Sequence, residues 1–351
     1  MSPSPRFSIV IAGFQTEPYL KKALDSVASQ RFRDFEAICY VEESTDGSLD
    51  ICKEYAARDT RFTVVSSPKS GAVSSTRNYG IEHAHGDYLV FLDGDDWLAA
   101  DMLERIYERL SKCGDVDVMA FAMSSTTNDY VEWDRSSDWT TNFRPDDEQS
   151  VFSGFDAIRK AGRNGGSMHN YTVMCVYRTE FLREYGLLQK PGRVMEDFEW
   201  TPRVWYHARR FAYVHRSFYA YRRRPGSLTT EASSRAVIHL AEHFNSLAFF
   251  AAEISPPQDI LSIWSNQWLS VLFWFLFHPV TSRKVPDKDR REAIRTLFEN
   301  SGKDRFLAIA THASKPKRIA AKFLLLAARG WMLPAKVFFR WLYYPMVSRR
   351  K

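Results

Sequence analysis

The stretch Gly86-Asp87-Tyr88-Leu89-Val90-Phe91-Leu92-Asp93-Gly94-Asp95-Asp96-Trp97 organises the chain. Tyr88 to Leu92 is an apolar run long enough for a buried strand and too short for a core helix. It stops at three carboxylates set around one glycine. Asp93 and Asp95 are two residues apart, but where a strand ends in a glycine turn they need not point to opposite faces. Both then lean over the carboxyl edge of a sheet, where open α/β folds bind ligands. Hard carboxylate oxygens there suit Mg2+ or Mn2+, which bind through one or two carboxylates plus substrate phosphates. Alone the pattern is weak: Asp115-Val116-Asp117 and Asp287-Lys288-Asp289 repeat it, and an acidic turn is most often a solvated one.

The residues upstream give it context. Phe7 to Ala12 reads as a buried strand, and Pro18 to Gln30 as a helix with Leu20, Ala23, Leu24 and Val27 on one face. Phe35 to Val41 is a second strand. Ser44-Thr45-Asp46 caps a helix through about Arg58. Phe62 to Val65 is a third strand, Gly71 to Ala84 a helix, and Tyr88 to Leu92 the fourth strand. Strand and helix alternating in this way predict a doubly wound α/β fold with a mainly parallel sheet. Phe14, Glu43 and Asp93 then converge at one edge. Neither G-x-G-x-x-G after the first strand nor G-x-x-x-x-G-K-[ST] is present, which argues against a dinucleotide oxidoreductase or a P-loop ATPase.

Downstream, Met102 to Leu110 is helical and Val116 to Met123 is a strand. Ser124 to Gln149 reads as a long polar excursion with Trp133 and Trp139 exposed. Gly154 to Ala161 and Arg178 to Tyr185 are helices bracketing a glycine-rich patch, Gly162 to Gly166. Val194-Met195-Glu196-Asp197-Phe198 opens a helix through Tyr206. An ionised carboxylate is favoured in a first helical turn by the unpaired N–H groups, which suits Asp197 to general base work, although acidic residues are ordinary there. Tyr219 to Thr229 joins a strand end to a turn, and its three arginines beside Ser227 suit a phosphate site or a solvated face. Beyond Glu231 long helices take over: Ala236 to Glu253, Asp259 to Phe277 and a short one over Glu292 to Phe298. The predicted division is 1–230, with halves 1–110 for nucleotide and 111–230 for acceptor, followed by a helical region over 231–351.

At 351 residues with 45% apolar and 26% charged residues the chain is globular. Its net charge of +6 is unevenly placed. From Arg305 to Lys351 there are eleven Lys and Arg and no Asp or Glu, leaving the first 304 residues with 37 basic against 42 acidic. That argues against a nucleic-acid groove and for a local anionic partner, with a membrane surface the leading candidate. From Lys315 the tail mixes aromatic clusters with Lys322, Arg329, Lys336 and Arg340, the pattern of a basic amphipathic helix lying in a membrane interface or of an oligomer contact. No stretch supplies about 20 uninterrupted apolar residues for a spanning helix. The apolar run Phe7 to Phe14 is broken by Gln15, Glu17 and Pro18, so no signal peptide is expected. Cys39, Cys52, Cys113 and Cys175 lack metal-like spacing and read as free thiols of a cytosolic protein.

Together these segments resemble the family 2 glycosyltransferases, with the GT-A fold, over about Phe7 to Thr229. IVIAGFQTEPYLKKALDSVASQ is similar to the family's I-I-P-x-Y-N-x-x-x-Y-L opening, with Ala12, Phe14 and Gln15 in place of Pro, Tyr and Asn. VEESTDGS resembles V-D-D-G-S-T-D-G-S with Glu42 and Glu43 for the aspartates and one glycine lost. GAVSSTRNYGI, GDYLVFLDGDDWL, MEDF and YRRRPGS follow in family order. The resemblance implies that Ala12, Phe14 and Glu17 line the base and ribose and that Glu43 contacts the uracil or its equivalent. It places Arg77 near the nucleotide, Asp93 on the ribose side and Asp95, across Gly94, on a Mn2+ or Mg2+ ion bridging the diphosphate, with Asp93 as a second ligand. It makes Asp197 the base, Glu196 an acceptor contact, and Arg222 and Ser227 partners of the leaving phosphates. His169 and Trp139 are candidate acceptor contacts.

The implied activity is transfer of a sugar from a nucleotide-sugar, UDP-linked by expectation, to a hydroxyl of a cell-envelope glycan, teichoic acid or lipid-linked acceptor. The enzyme would work in the cytoplasm on the inner face of the membrane, and its oligomeric state stays open. One base with no covalent partner implies single displacement and inversion. Two other readings compete. A sugar nucleotidyltransferase wants a G-x-G-T-R-type loop where this chain has Ala12-Gly13-Phe14-Gln15-Thr16. A catalytically silent nucleotide-binding scaffold would have no need of Asp93, Asp95, Asp197 and Arg222 together.

Overall fold

Apolar β-branched and aromatic residues without alternation predict strands buried on both faces, and the first strands are so buried. The structure is a computed structural model that describes residues 4–133, 143–163, 171–224, 233–278, 284–299 and 302–344. The chain opens β1 (Phe7–Gly13), α1 (Glu17–Ala28), β2 (Phe35–Glu42), α2 (Ser48–Arg58), β3 (Phe62–Ser67), α3 (Ser74–His83) and β4 (Tyr88–Asp93). Leu20, Ala23, Leu24 and Val27 form the buried face of α1, as their spacing predicts. All residues of β4 from Tyr88 to Leu92 are buried, whereas β3, at the sheet edge, exposes Thr63 and Ser66. The helix expected from Gly71 starts at Ser74, because the Ser70 and Gly71 N–H groups donate to the Glu42 carboxylate at 3.2 and 3.3 Å and Gly71 has φ +80°.

Next come β5 (Trp97–Leu98), α4 (Met102–Cys113), β6 (Val118–Thr126), α5 (Gly154–Ala161), β7 (Cys175–Arg178), α6 (Thr179–Glu184), α7 (Asp197–His207) and β8 (Phe211–Arg222). The sheet has eight strands in the order β3-β2-β1-β4-β7-β6-β8-β5, with only β7 and β5 antiparallel to their neighbours. β5 and β7 carry no sequence signal: at two and four residues they are too short for a period to show. Trp133 is half-buried rather than exposed, and Trp139 lies outside the described residues.

The chain divides into two compact units, 1–161 with 168–223, and 162–167 with 224–351. The second is helical: α8 (Ser234–Ile254), α9 (Gln258–Phe277), α10 (Asp287–Phe298), α11 (Gly302–Thr311), α12 (Lys315–Ala328) and α13 (Met332–Phe338), the last continuing as a π-turn over Phe339–Tyr343. One tail expectation is corrected: the tail is not one continuous helix. It breaks at Gly330, φ +94°, and turns Phe338, Phe339 and Tyr343 inward, with Phe339 stacked on Phe277 at 4.3 Å and 5.0 Å from Phe273. Burying aromatic area against α9 outweighs an interfacial position for those rings. Outside the tail, α9 has no unbroken apolar run of that length, but its average makes it long and apolar enough to cross a membrane, and 56% of its most apolar window is buried inside the protein.

Candidate active site

The acidic turn is built by the sheet. Ala12 of β1 and Asp93 of β4 are register partners at the carboxyl edge, and the Gly94 N–H donates to the Ala12 carbonyl at 3.0 Å. A Cβ on Gly94 would lie 2.6 Å from that carbonyl oxygen, so close approach requires glycine here. Tyr219 of β8 then pins the turn. Its hydroxyl accepts from the Asp93 N–H at 3.2 Å and donates to Asp96 Oδ2 at 2.7 Å. The Arg222 N–H donates to Asp96 Oδ1 at 2.7 Å. Burial, then the charges of Asp95 and Asp93, hold the Asp96 carboxyl well above the usual range. Asp96 is therefore the structural member of the triplet, and Asp93 and Asp95 face outward, each half-buried.

Arg77 of α3 gathers the second half of the site. Its buried guanidinium donates to Glu196 Oε1 at 2.6 Å, Asp197 Oδ1 at 3.0 Å and Asp93 Oδ1 at 3.3 Å. Three carboxylates around one cation exceed its charge. Burial, then Asp197, push Glu196 up to about 7 against the pull of Arg77. Burial, then Asp95 and Asp197, also raise Asp93. The attraction of Asp197, Asp93 and Glu196 outweighs burial and raises Arg77 further. Met195, at φ +63°, bends the chain so that Glu196 and Asp197 enter α7 from a strained residue.

Asp197 is the first residue of α7, and the N–H groups of Phe198 and Glu199 behind it close onto the Met195 and Glu196 carbonyls at 3.1 Å each. Thr172 donates its hydroxyl to Asp197 Oδ1, and Gln189 Nε2 donates to that hydroxyl at 3.2 Å. Gln189 is in turn locked to Asn78 by two bonds of 2.8 Å. Every described bond to Asp197 falls on Oδ1; Oδ2 has no protein hydrogen-bond partner among the described residues.

Arg222, at the end of β8, is buried against the turn. Its Nε donates to the Asp95 carbonyl at 2.9 Å, its guanidinium pairs with Asp129 at 2.5 Å, and it lies 4.9 Å from the centres of both Tyr19 and Trp97.

The structure thus brings together Ala12, Gly94, Asp93, Asp95, Arg77, Glu196, Asp197 and Arg222. Phe14 is half-buried with Lys69 4.6 Å from its ring centre, and Glu43 is exposed just past β2. Glu17 is exposed and accepts from the Gly47 N–H at 2.7 Å, joining α1 to the start of α2. Ser227, His169 and Trp139 lie outside the described residues. Sequence reasoning missed Tyr219, Thr172, Gln189 and the structural role of Asp96. Only Asp96 had a signal, as the third carboxylate of the turn.

Among the described residues no three His, Cys, Asp or Glu side chains form a protein-only metal cage. Mg2+ and Mn2+ need none, because one or two carboxylates plus substrate phosphates suffice. Half-exposed Asp95 and Asp93 at the sheet edge fit that donor set.

A doubly wound sheet carrying an acidic turn and a helix-start carboxylate at its carboxyl edge places the chain in the GT-A fold class. The sequence model described as Glycosyl transferase family 2 matches residues 8–186, just over half of the chain. The chain belongs to that family. Glycosyltransferase GlyA of Streptococcus pneumoniae is 24% identical over 244 residues, covering 64% of this chain and 31% of that protein. Glycosyltransferase EpsJ of Bacillus subtilis is 28% identical over 228 residues, 64% and 63% of the two chains. The chain therefore spans less than two thirds of these relatives. Poly(ribitol-phosphate) beta-glucosyltransferase of Bacillus spizizenii is 35% identical over 105 residues, 29% and 17% of the two. Among solved structures, residues 1–349 of Staphylococcus aureus TarS in complex with UDP-GlcNAc superpose with a TM-score of 0.71 at 17% identity, covering 95% of this chain and 91% of that one. The Pyrobaculum calidifontis mannosyltransferase PcManGT with GDP-Man and Mn2+ gives 0.52 at 16% identity, covering 96% and 87%.

Proposed function

We propose that the chain is an inverting glycosyltransferase that moves a sugar from a UDP-sugar to a hydroxyl of a cell-envelope acceptor: a teichoic acid, another envelope glycan or a lipid-linked glycan. The observation that carries this is Asp197, fixed through Oδ1 by Arg77 and Thr172, with no bond to Oδ2 among the described residues, in one network with Asp93 of the acidic turn. Oδ2 takes the acceptor proton as the hydroxyl attacks the anomeric carbon. No second carboxylate is assigned as a covalent nucleophile, so the displacement is single and a UDP-α-sugar gives a β-glycoside. Asp95, with Asp93, would hold Mn2+ or Mg2+; when bound, that ion supplies charge stabilisation to the departing diphosphate. Arg222, and Ser227 beyond it, supply the same from the protein side. Ala12, Phe14, Glu17 and Glu43 lie on the nucleotide side, in the 1–110 half; 111–230 holds the acceptor, and Glu196 contacts it.

The donor assignment draws on the UDP-GlcNAc complex of TarS, and the acceptor assignment on the similarity to a poly(ribitol-phosphate) beta-glucosyltransferase and to the minor teichoic acid biosynthesis protein GgaB of Bacillus subtilis, 36% identical over 102 residues. The 231–351 region would place the enzyme on the cytoplasmic face of an anionic membrane. Support comes from the exposed Trp331, Val337 and Leu342 among its basic residues.

The test is release of nucleoside diphosphate from a panel of sugar nucleotides with Mn2+, Mg2+ or chelator. Metal-dependent release of UDP from one donor is expected. Asp197→Asn should abolish transfer and leave donor affinity within about twofold. Absence of both release and UDP binding would favour the silent scaffold.

A further inference from the structure

A groove runs along the outside of the acidic turn, and none of the assignments above uses it. Two adjoining cavities of about 690 and 630 Å3 share Lys22, Trp97 and Trp133, each within the range of small-ligand sites. One wall is the face of α1 that presents Lys22, Asp25, Ser26 and Ser29 at three- and four-residue spacing. The floor is β5. The other wall is the chain after β6, held in shape by Thr126 Oγ1, which donates to the Tyr130 carbonyl at 3.0 Å, and by Asn128 Oδ1, which accepts the Tyr130 N–H at 3.0 Å.

Trp97 is buried beneath Lys22, whose Nζ lies 4.0 Å from the ring centre. The Tyr130 ring is 68% exposed, and Trp133 is half-buried with no ring contact among the described residues. Aromatic faces bordered by carboxylates, hydroxyls and cations match a sugar ring, whose C–H face is apolar and whose rim is polar. The charged lining is two cations, Lys22 and Arg216, against three carboxylates, Asp25, Asp129 and Glu132. Both cations are paired: Lys22 with Asp129 at 3.5 Å and Arg216 with Asp101 at 2.9 Å. This balance disfavours a polyanion. The groove also reaches the site: Asp129 pairs with Arg222, whose Nε bonds the Asp95 carbonyl.

We propose that this groove is a saccharide subsite that holds an uncharged sugar unit of the acceptor, away from the reacting hydroxyl. It rests on the transferase reading. The full chain is titrated by calorimetry with neutral tetra- and hexasaccharides of β-glucose, α-glucose, β-galactose and β-N-acetylglucosamine, and with polyol-phosphate oligomers. At least one neutral saccharide binds; Trp133→Ala and Tyr130→Ala each weaken it by about tenfold; melting temperature and acceptor-free sugar-nucleotide hydrolysis stay at wild-type values. No neutral saccharide binding at millimolar concentration, binding unchanged in both variants, or preference for polyol phosphate overturns the proposal. Wild-type protein that hydrolyses no sugar nucleotide, yet loses saccharide binding in the variants, overturns the transferase reading and leaves the saccharide site standing.

Discussion

Glu196 shows what a crowded charge cluster does to one side chain. It is buried beside Asp197 and shares Arg77 with two other carboxylates, so its proton is held up to about pH 7 against an ordinary 4.5. The folded state then binds more protons than the unfolded one across that window, and stability falls as pH rises through it, by about 3 kcal/mol in full. Glu196→Gln keeps an acceptor for Arg77 and removes the titration. Thermal melts from pH 5 to pH 8 should show a smaller loss of melting temperature in this variant than in the wild type; an equal loss would mean the proton is not carried by Glu196. Arg77→Ala should be worse than either, because three carboxylates lose their counter-charge. Breaking a buried ion pair from one side costs about 3–5 kcal/mol, and a loss of unfolding free energy in urea of less than one third of that would show the cluster to be more solvated than its burial implies.

The acidic turn works because three elements meet in it. β1 supplies the Ala12 carbonyl, β4 ends at Asp93, and β8 brings Tyr219 and Arg222 from more than 120 positions away. Gly94→Ala places a Cβ 2.6 Å from backbone oxygen, which cannot move without pulling β1. The expected result is a loss of about 1–3 kcal/mol of stability together with weakened donor binding, read by melts and UDP titration. Wild-type affinity would mean that the turn tolerates displacement. The strands β1 to β4 and the start of α7 were legible locally, because each is a long apolar run or a clear first turn. β7 was not: its four residues are defined by a place between β4 and β6, not by any period of their own.

At the level of the whole chain, the tail serves two faces. Phe338, Phe339 and Tyr343 cover α9, so removing Lys315 to Lys351 would uncover Phe273 and Phe277 and confuse stability with localisation. Charge reversal is the cleaner test. Lys315, Arg318, Lys322 and Arg329 are exposed, and each cation near an anionic surface contributes about 1 kcal/mol. Changing all four to Glu should cut binding to phosphatidylserine-containing vesicles at low salt by more than about tenfold while leaving the melting temperature near wild type. Unchanged partitioning would remove the membrane assignment.

The chain's local order sufficed for the alternating strands, the Asp-Gly-Asp-Asp turn, Asp197 at a helix start and membership of the family, because each is written in a few adjacent residues. Tertiary structure alone brought Arg77 to Glu196 and Asp197, 119 and 120 positions on, assigned Asp96 to the interior, and turned the tail aromatics inward. Those outcomes depend on which surfaces are buried together, and the free energy of burial belongs to the pair of surfaces and is absent from either segment taken separately.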